Sequence, residues 1–272
     1  MIRKLLNFSL QPQSAVFKAW RKTNLGSFEL RLDYDIFRRP NYAFCVYHGA
    51  RLAERLGIKR ISVAEFGVAG GKGLLEFERL AGEVEQLFKV KIDVYGFDTG
   101  EGLPEPVDYR DLPYIWKAGF YKMELDTLRQ QLERSQLVLG NVKDTVPKFF
   151  AEIDAAPLAA ASFDLDFWSS TFEAFRIFEA PPEKILPRVF CYCDDVLSIE
   201  TGGLLNDHVG QLAAIHDYNA ANETKKLTPI AGFRHQRRIP APWNDQIYVH
   251  HAFAHPEYNT YVHDDPDRQL RL

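Results

Sequence analysis

A chain of 272 residues has room for one large α/β domain and can bury a substantial core. Hydrophobic residues at 46% and charged residues at 26% are ordinary for a globular protein in water, and a net charge of −4 removes the electrostatic case for a nucleic-acid partner. No apolar run reaches the roughly 18 residues of a membrane span, and three cysteines cannot make a disulfide framework, so a cytoplasmic protein without a membrane partner is expected.

The first twenty residues, "MIRKLLNFSLQPQSAVFKAW", are basic with scattered apolar positions, too interrupted for a secretory leader, and read as a packing arm. From Ile61 short apolar runs alternate with helical patterns, the signature of a parallel sheet covered on both faces. Ahead of that sheet, "RPNYAFCVYHGARLAERLG" reads as a helix that packs on or near it. Strands are expected at "ISVAEF", "KIDVYGF", "SQLVLG", "AAASFDLD" and "RVFCYCDD", with helices beginning near Gly71, Glu124, Thr145 and Ser169. A further helix falls in "NDHVGQLAAIHDYNAAN", where Leu212, Ile215 and Tyr218 share a face. Two late strands, around "LTPIAGFRH" and "DQIYVHHAF", should close one sheet edge as an antiparallel hairpin, and "FRHQRR" reads as its solvated face. The expectation is an N-terminal arm and helix over 1–58, then one α/β domain over 59–272.

The turn in "ISVAEFGVAGGKG" fits neither familiar phosphate pattern. Ala69 stands at the second glycine of the dinucleotide fingerprint, and the P-loop would need glycine at Phe66 and Ser or Thr at Gly73. In an open parallel sheet, ligands collect beyond the carboxyl ends of the strands. Those ends are Glu65 and the glycines, then Asp98, then Gly140 and Asn141, then Asp164 and Asp166, then Asp194 and Asp195. A rim of acids disfavours phosphate and favours a cationic ligand, hydroxyls or a metal ion. S-adenosylmethionine (SAM), with a sulfonium, an amino group and a ribose diol, meets that description. Gly67, Gly70 and Gly71 would let the backbone approach it, Asp98 would accept from both ribose hydroxyls, and Asn141 would read the adenine edge. The bland alternatives are a tight turn with no ligand, and a turn-forming Asp98 before Thr99 and Gly100.

In this order "EFGVAGGKG", "VYGFDTGEGLPEP", "GNVKDTVPKFF", "FDLDFWSST" and "CYCDDV" resemble class I SAM-dependent methyltransferases, in particular the macrocin-type O-methyltransferases, over roughly residues 40 to 220. The resemblance implies a Rossmann-like fold, cofactor contacts that include Glu65 and Asp164, magnesium held by Asp164, Asp194 and Asp195, and Asp166 as general base. This chain departs from that family's usual Glu-Thr-Gly-Val opening, and "DYRDLPYIWKAGFYKM" has no counterpart there, so the acceptor is not inherited.

The acids also make sense as chemistry. Three carboxylates from adjacent strand ends can hold a hard divalent cation and leave positions for substrate oxygens. The competing reading has Asp164 and Asp166 capping the helix near Ser169, and Asp194–Asp195 as a polar loop. Tyr109, Tyr114, Trp116, Phe120 and Tyr121 read as a lid over the site or, alternatively, as a local core. Cys191 and Cys193, and His250 with His251, read as strand packing rather than zinc ligands. The function expected is magnesium-assisted, SAM-dependent methylation of a hydroxyl on a small polyhydroxylated or phenolic acceptor, with homo-oligomerisation left open. The rivals are a nicotinamide-dependent oxidoreductase and a non-catalytic protein that keeps the fold for binding.

Overall fold

The computed structural model describes residues 13–23, 25–197, 202–264 and 269. Seven strands form one sheet: β1 Arg60–Phe66, β2 Lys91–Asp98, β3 Gln136–Leu139, β4 Leu158–Phe163, β5 Ile185–Cys193, β6 Lys225–Pro229 and β7 Ile247–Ala252. Their order is β3-β2-β1-β4-β5-β7-β6. The first five are mutually parallel, whereas β7 runs antiparallel to β5 and β6 antiparallel to β7. The expected hairpin therefore closes the edge, although its first strand stops early. Pro229 cannot continue the ladder, Gly232 adopts φ +70°, and Phe233–Gln236 forms a helical turn instead of strand.

The helices are α1 Gln13–Trp20, α2 Phe28–Asp33, α3 Pro40–Arg55, α4 Lys72–Phe88, α5 Leu125–Arg129, α6 Val142–Thr145, α7 Phe149–Glu152, α8 Trp168–Ala174, α9 Gly210–Ala221 and α10 Phe233–Gln236. Pro40 at the first turn of α3 has the fixed φ a helix start needs. Gly49 then lets α3 lie against β4, since a Cβ there would sit 2.8 Å from the Ala159 carbonyl oxygen. The helix expected near Thr145 breaks into α6, a 3-10 turn and α7, because Pro147 has no N–H to give. Of the N-terminal arm, residues 1–12 lie outside the described residues; Phe17 and Trp20 pack on Tyr34. Among the described residues no helix is long and apolar enough to cross a membrane.

The core lies on both faces of the sheet, and β1 and β4 are buried almost end to end, as continuous apolar runs in a parallel sheet require. On one face α3 and α4 pack through Tyr42, Phe77 and Leu74. On the other, Phe97, Phe66 and Phe163 stack across three neighbouring strands, with centroids 4.5 and 4.8 Å apart. Each such pair is worth about 0.5–1.5 kcal/mol beyond its buried area. The ladder also sets the register: Phe66 lies opposite both Phe97 and Phe163, and Phe163 opposite Cys193. The next residue on each strand is therefore Asp98, Gly67, Asp164 or Asp194, and one row of packed residues places these four at one level.

Candidate active site

Strand order reverses direction of growth between β1 and β4, the topological switch point at which open α/β sheets bind ligands. A cavity of about 370 Å³ opens there, and every residue expected to meet the cofactor, the cation or the acceptor's proton lines it.

Gly67, Gly70 and Gly71 do different jobs. A Cβ on Gly67 (φ +86°) would lie 1.7 Å from the Asp164 carbonyl oxygen, and one on Gly71 (φ +76°) 2.2 Å from Leu128. These two serve close approach of the chain to itself. Gly67→Ala is expected to destabilise the fold by about 2 kcal/mol or more, read as a melting temperature lower by roughly 5 °C, because both the conformation and the space exclude a side chain. An unchanged melting point would contradict this. Of the three, only Gly70 faces open space, with no atom within 4 Å of its would-be Cβ.

The Asp98 carboxylate is already engaged. Its Oδ2 accepts from the Val68 and Ala69 N–H groups, both at 2.9 Å, and its Oδ1 from the Gly100 N–H at 2.6 Å. It thus ties the glycine turn to the end of β2, which leaves less capacity for ribose than the sequence suggests. Asn141 Oδ1 accepts from the Lys143 N–H and caps α6, and its Nδ2 is not engaged by that cap. Glu65 accepts from the Tyr42 hydroxyl at 2.6 Å, and Tyr42 in turn accepts from Ser162 at 3.0 Å. Its other oxygen, Oε2, is buried without a hydrogen-bond partner among the described residues. Burial pushes the Glu65 carboxyl up to about 8, against the pull of Tyr42 and Arg39.

One carboxylate oxygen from each of Asp164, Asp194 and Asp195 lies within 4.8 Å of the other two. Burial, then the charges of Asp195 and Asp194, hold Asp164 well above the usual carboxylate range; burial, then Asp166 and Asp194, do the same to Asp195. Asp195 Oδ2 accepts from the Asp166 N–H at 2.9 Å and the Leu165 N–H at 3.2 Å. Asp194 accepts from the Tyr192 hydroxyl. Asp166 is buried in the left-handed region at φ +58°, beyond the end of β4. The capping alternative fails: α8 begins at Trp168 behind Phe167 with no side-chain cap, and the Ser169 N–H and hydroxyl donate to Asp111 instead. Nor is Asp194–Asp195 a loose loop, since the pair starts a 3-10 turn directly after β5.

Asp111 and Leu112, both fully buried, fasten the 109–121 loop beside α8. Tyr109, Tyr114, Phe120 and Tyr121 are 41–65% exposed, which excludes a local core for them, and Tyr121 alone of the loop lines the cavity. Arg39, just before α3, also lines it and lies within electrostatic reach of Glu65 and Asp164. Nothing in the sequence ties Arg39 to a rim formed much later in the chain. Arg237, expected on a solvated face, is instead buried against Trp243 and paired with Asp35 at 2.8 Å. Cys191 and His250 are buried strand packing, as expected.

Strand order and the closing antiparallel hairpin match a Rossmann-like methyltransferase fold. The chain is similar to the calicheamicin methyltransferase CalS11, at 21% identity over 86% of this chain and 89% of that one, with a TM-score of 0.51. An apo structure of CalS11, described as a TDP-rhamnose 3'-O-methyltransferase, is 21% identical over 88% and 94%, with a TM-score of 0.45. The MycE methyltransferase of the mycinamycin pathway, in complex with Mg and SAH, is 14% identical over 75% and 48%, at 0.36. The last two superpose too loosely to bear on the assignment. No protein-family model and no curated protein sequence matches the chain.

Proposed function

We propose that this protein is a SAM-dependent O-methyltransferase, assisted by magnesium or a similar divalent cation, that acts on a hydroxyl of a small polyhydroxylated or phenolic acceptor. The observation that carries the reading is the convergence of three carboxylate oxygens within 4.8 Å in a cavity that the glycine turn also lines. Three hard oxygen donors of like charge suit a hard divalent cation, and raised carboxyls are what such a cluster shows before one binds. The similarity in fold to CalS11, a calicheamicin methyltransferase, points the same way.

In this reading the residues divide the work. Glu65 Oε2, buried and unpartnered, receives the α-ammonium of the methionine portion, while Gly70 leaves room for the chain of atoms beside it. Asp98 and Asn141 meet ribose and adenine with the lone pair and amide hydrogens that the turn and the helix cap leave them. Asp164, Asp194 and Asp195 would hold the cation; Asp166, bonded through its backbone to Asp195, would take the acceptor's hydroxyl proton on its carboxylate. Bound together, SAM supplies an electrophilic methyl group and the cation lowers the pKa of a neighbouring hydroxyl. Tyr121 and the exposed aromatics of its loop cover the acceptor.

The test is ligand-linked stability. SAM or S-adenosylhomocysteine (SAH) at a hundred times its dissociation constant adds about 2.7 kcal/mol, so each should raise the melting temperature by about 5 °C or more while NAD leaves it unchanged. Stabilisation by NAD alone would favour the oxidoreductase reading. Gly70→Val is expected to keep the apo melting point and weaken SAH binding at least tenfold, about 1.4 kcal/mol, since Gly70 lines the cavity and a side chain there meets open space. Calorimetry that returns wild-type affinity for this variant would remove the cofactor from the glycine turn.

A further inference from the structure

The β4–β5 ladder ends where Phe163 pairs with Cys193, and the carboxylates stand one step beyond, where the strands part. Gln211, in the first turn of α9 and fully buried, spans that parting. Its Oε1 accepts from the Asp195 N–H at 2.9 Å, and its Nε2 donates to the Phe163 carbonyl at 3.1 Å. One amide therefore bonds the backbone of Asp195 and that of the residue directly before Asp164. On the far side, Gln246 Nε2 donates to the Asp194 carbonyl oxygen at 2.6 Å. Gly210 lets α9 come this close: its would-be Cβ lies 3.1 Å from Leu112 and 3.7 Å from the Asp166 carbonyl oxygen.

We infer that Gln211 is a positioning residue for the carboxylate cluster, with Gln246 as its counterpart, and that together they fix the spacing of Asp164, Asp194 and Asp195 for a divalent cation. The inference rests on the reading of those three aspartates as a cation site. Like charges gathered this closely repel, and left to themselves the two strand ends would splay. A side chain with a donor and an acceptor at a fixed separation replaces the missing rung of the ladder, whereas an apolar side chain of the same size could fill the space but hold neither backbone group. These bonds reach the ligands through their backbone, and loss of a partner that orients a metal ligand costs 10- to 100-fold in metal affinity.

The test titrates Mn²⁺ into the full chain, wild type and Gln211→Met, in the presence of SAH, with binding read by calorimetry and by the electron paramagnetic resonance of the ion. Melting temperature and SAH affinity are measured on the same samples. Met fills the volume of Gln without its bonds, so the expected result is Mn²⁺ binding weaker by 10- to 100-fold, an altered resonance line shape, and SAH affinity within threefold of wild type. A purely structural role would lower the melting temperature and leave Mn²⁺ affinity and line shape of the folded protein unchanged, and that outcome overturns the inference. If Gln211→Met does not fold, Gln246→Met is read in its place, with the same expected direction and the same overturning result. Wild-type protein that binds no Mn²⁺ would instead overturn the cation site itself, and is distinguished by being silent before any variant is made.

Discussion

Asp166→Asn is expected to bind SAH and Mn²⁺ as the wild type does and to transfer methyl groups more slowly by about 10²- to 10⁴-fold, the range for loss of a general base. Asparagine is the informative replacement. Asp166 sits at φ +58°, a region that Asn tolerates and most side chains do not, so the backbone N–H can keep its bond to Asp195. What Asn cannot do is take a proton. A non-glycine residue held in this conformation, buried, at the rim of the cavity, is the sort of strained position that clusters at functional sites. The measurement is single-turnover transfer from labelled SAM to an acceptor drawn from a screen of polyols and phenols. A rate within threefold of wild type would remove Asp166 from the chemistry and leave the proton to solvent.

Much of the site is legible in the sequence because each strand ends in a chemical change. An apolar run with Phe, Phe, Phe or Cys as its last apolar residue gives way to glycine or aspartate, and a parallel sheet brings such ends together whatever the helices between them do. Adjacency of β4 and β5 then suffices to gather Asp164, Asp194 and Asp195. What the sequence hides is contact between distant segments. That Gly67 makes room for the Asp164 carbonyl depends on β1 and β4 lying side by side after a separation of almost a hundred residues. That the Asp98 carboxylate also holds the glycine turn shows only once that turn is seen folded over it. Arg39 stands just before one helix and Gln211 in the first turn of another, and a polar residue at such a place carries no mark of what it will meet. In the hairpin the apolar pattern gives β7, but Pro229 and Gly232 end β6 early and Phe233–Gln236 turns helical, with Phe233 packed on Trp243 and Phe44.

Substituting Asn for Asp194 or Asp195 is expected to abolish cation-assisted methyl transfer and, at the same time, to raise the melting temperature of the cation-free protein. Two charges about 4 Å apart interact by roughly 4 kcal/mol at an effective dielectric constant of 20, and this cluster places three carboxylates within 4.8 Å. The protein accommodates them without a cation by holding Asp164 and Asp195 well above the usual carboxylate range, under burial first and mutual repulsion second. Amide side chains of the same shape remove that repulsion. At position 195 the Asn oxygen can still accept from the Leu165 and Asp166 N–H groups, so the fold loses little. The same change removes an anionic ligand, and Mn²⁺ affinity should fall by on the order of 100-fold, since ligand charge sets affinity for hard cations. Stability gained where activity is lost is the mark of groups kept for function. Melting temperatures in the presence of EDTA, Mn²⁺ titrations and turnover with and without chelator, on wild type and both variants, decide it. If EDTA leaves wild-type turnover unchanged, the cation has no part in the reaction; if both variants melt below the wild type in EDTA, the carboxylates are structural anchors whose hydrogen bonds outweigh their repulsion.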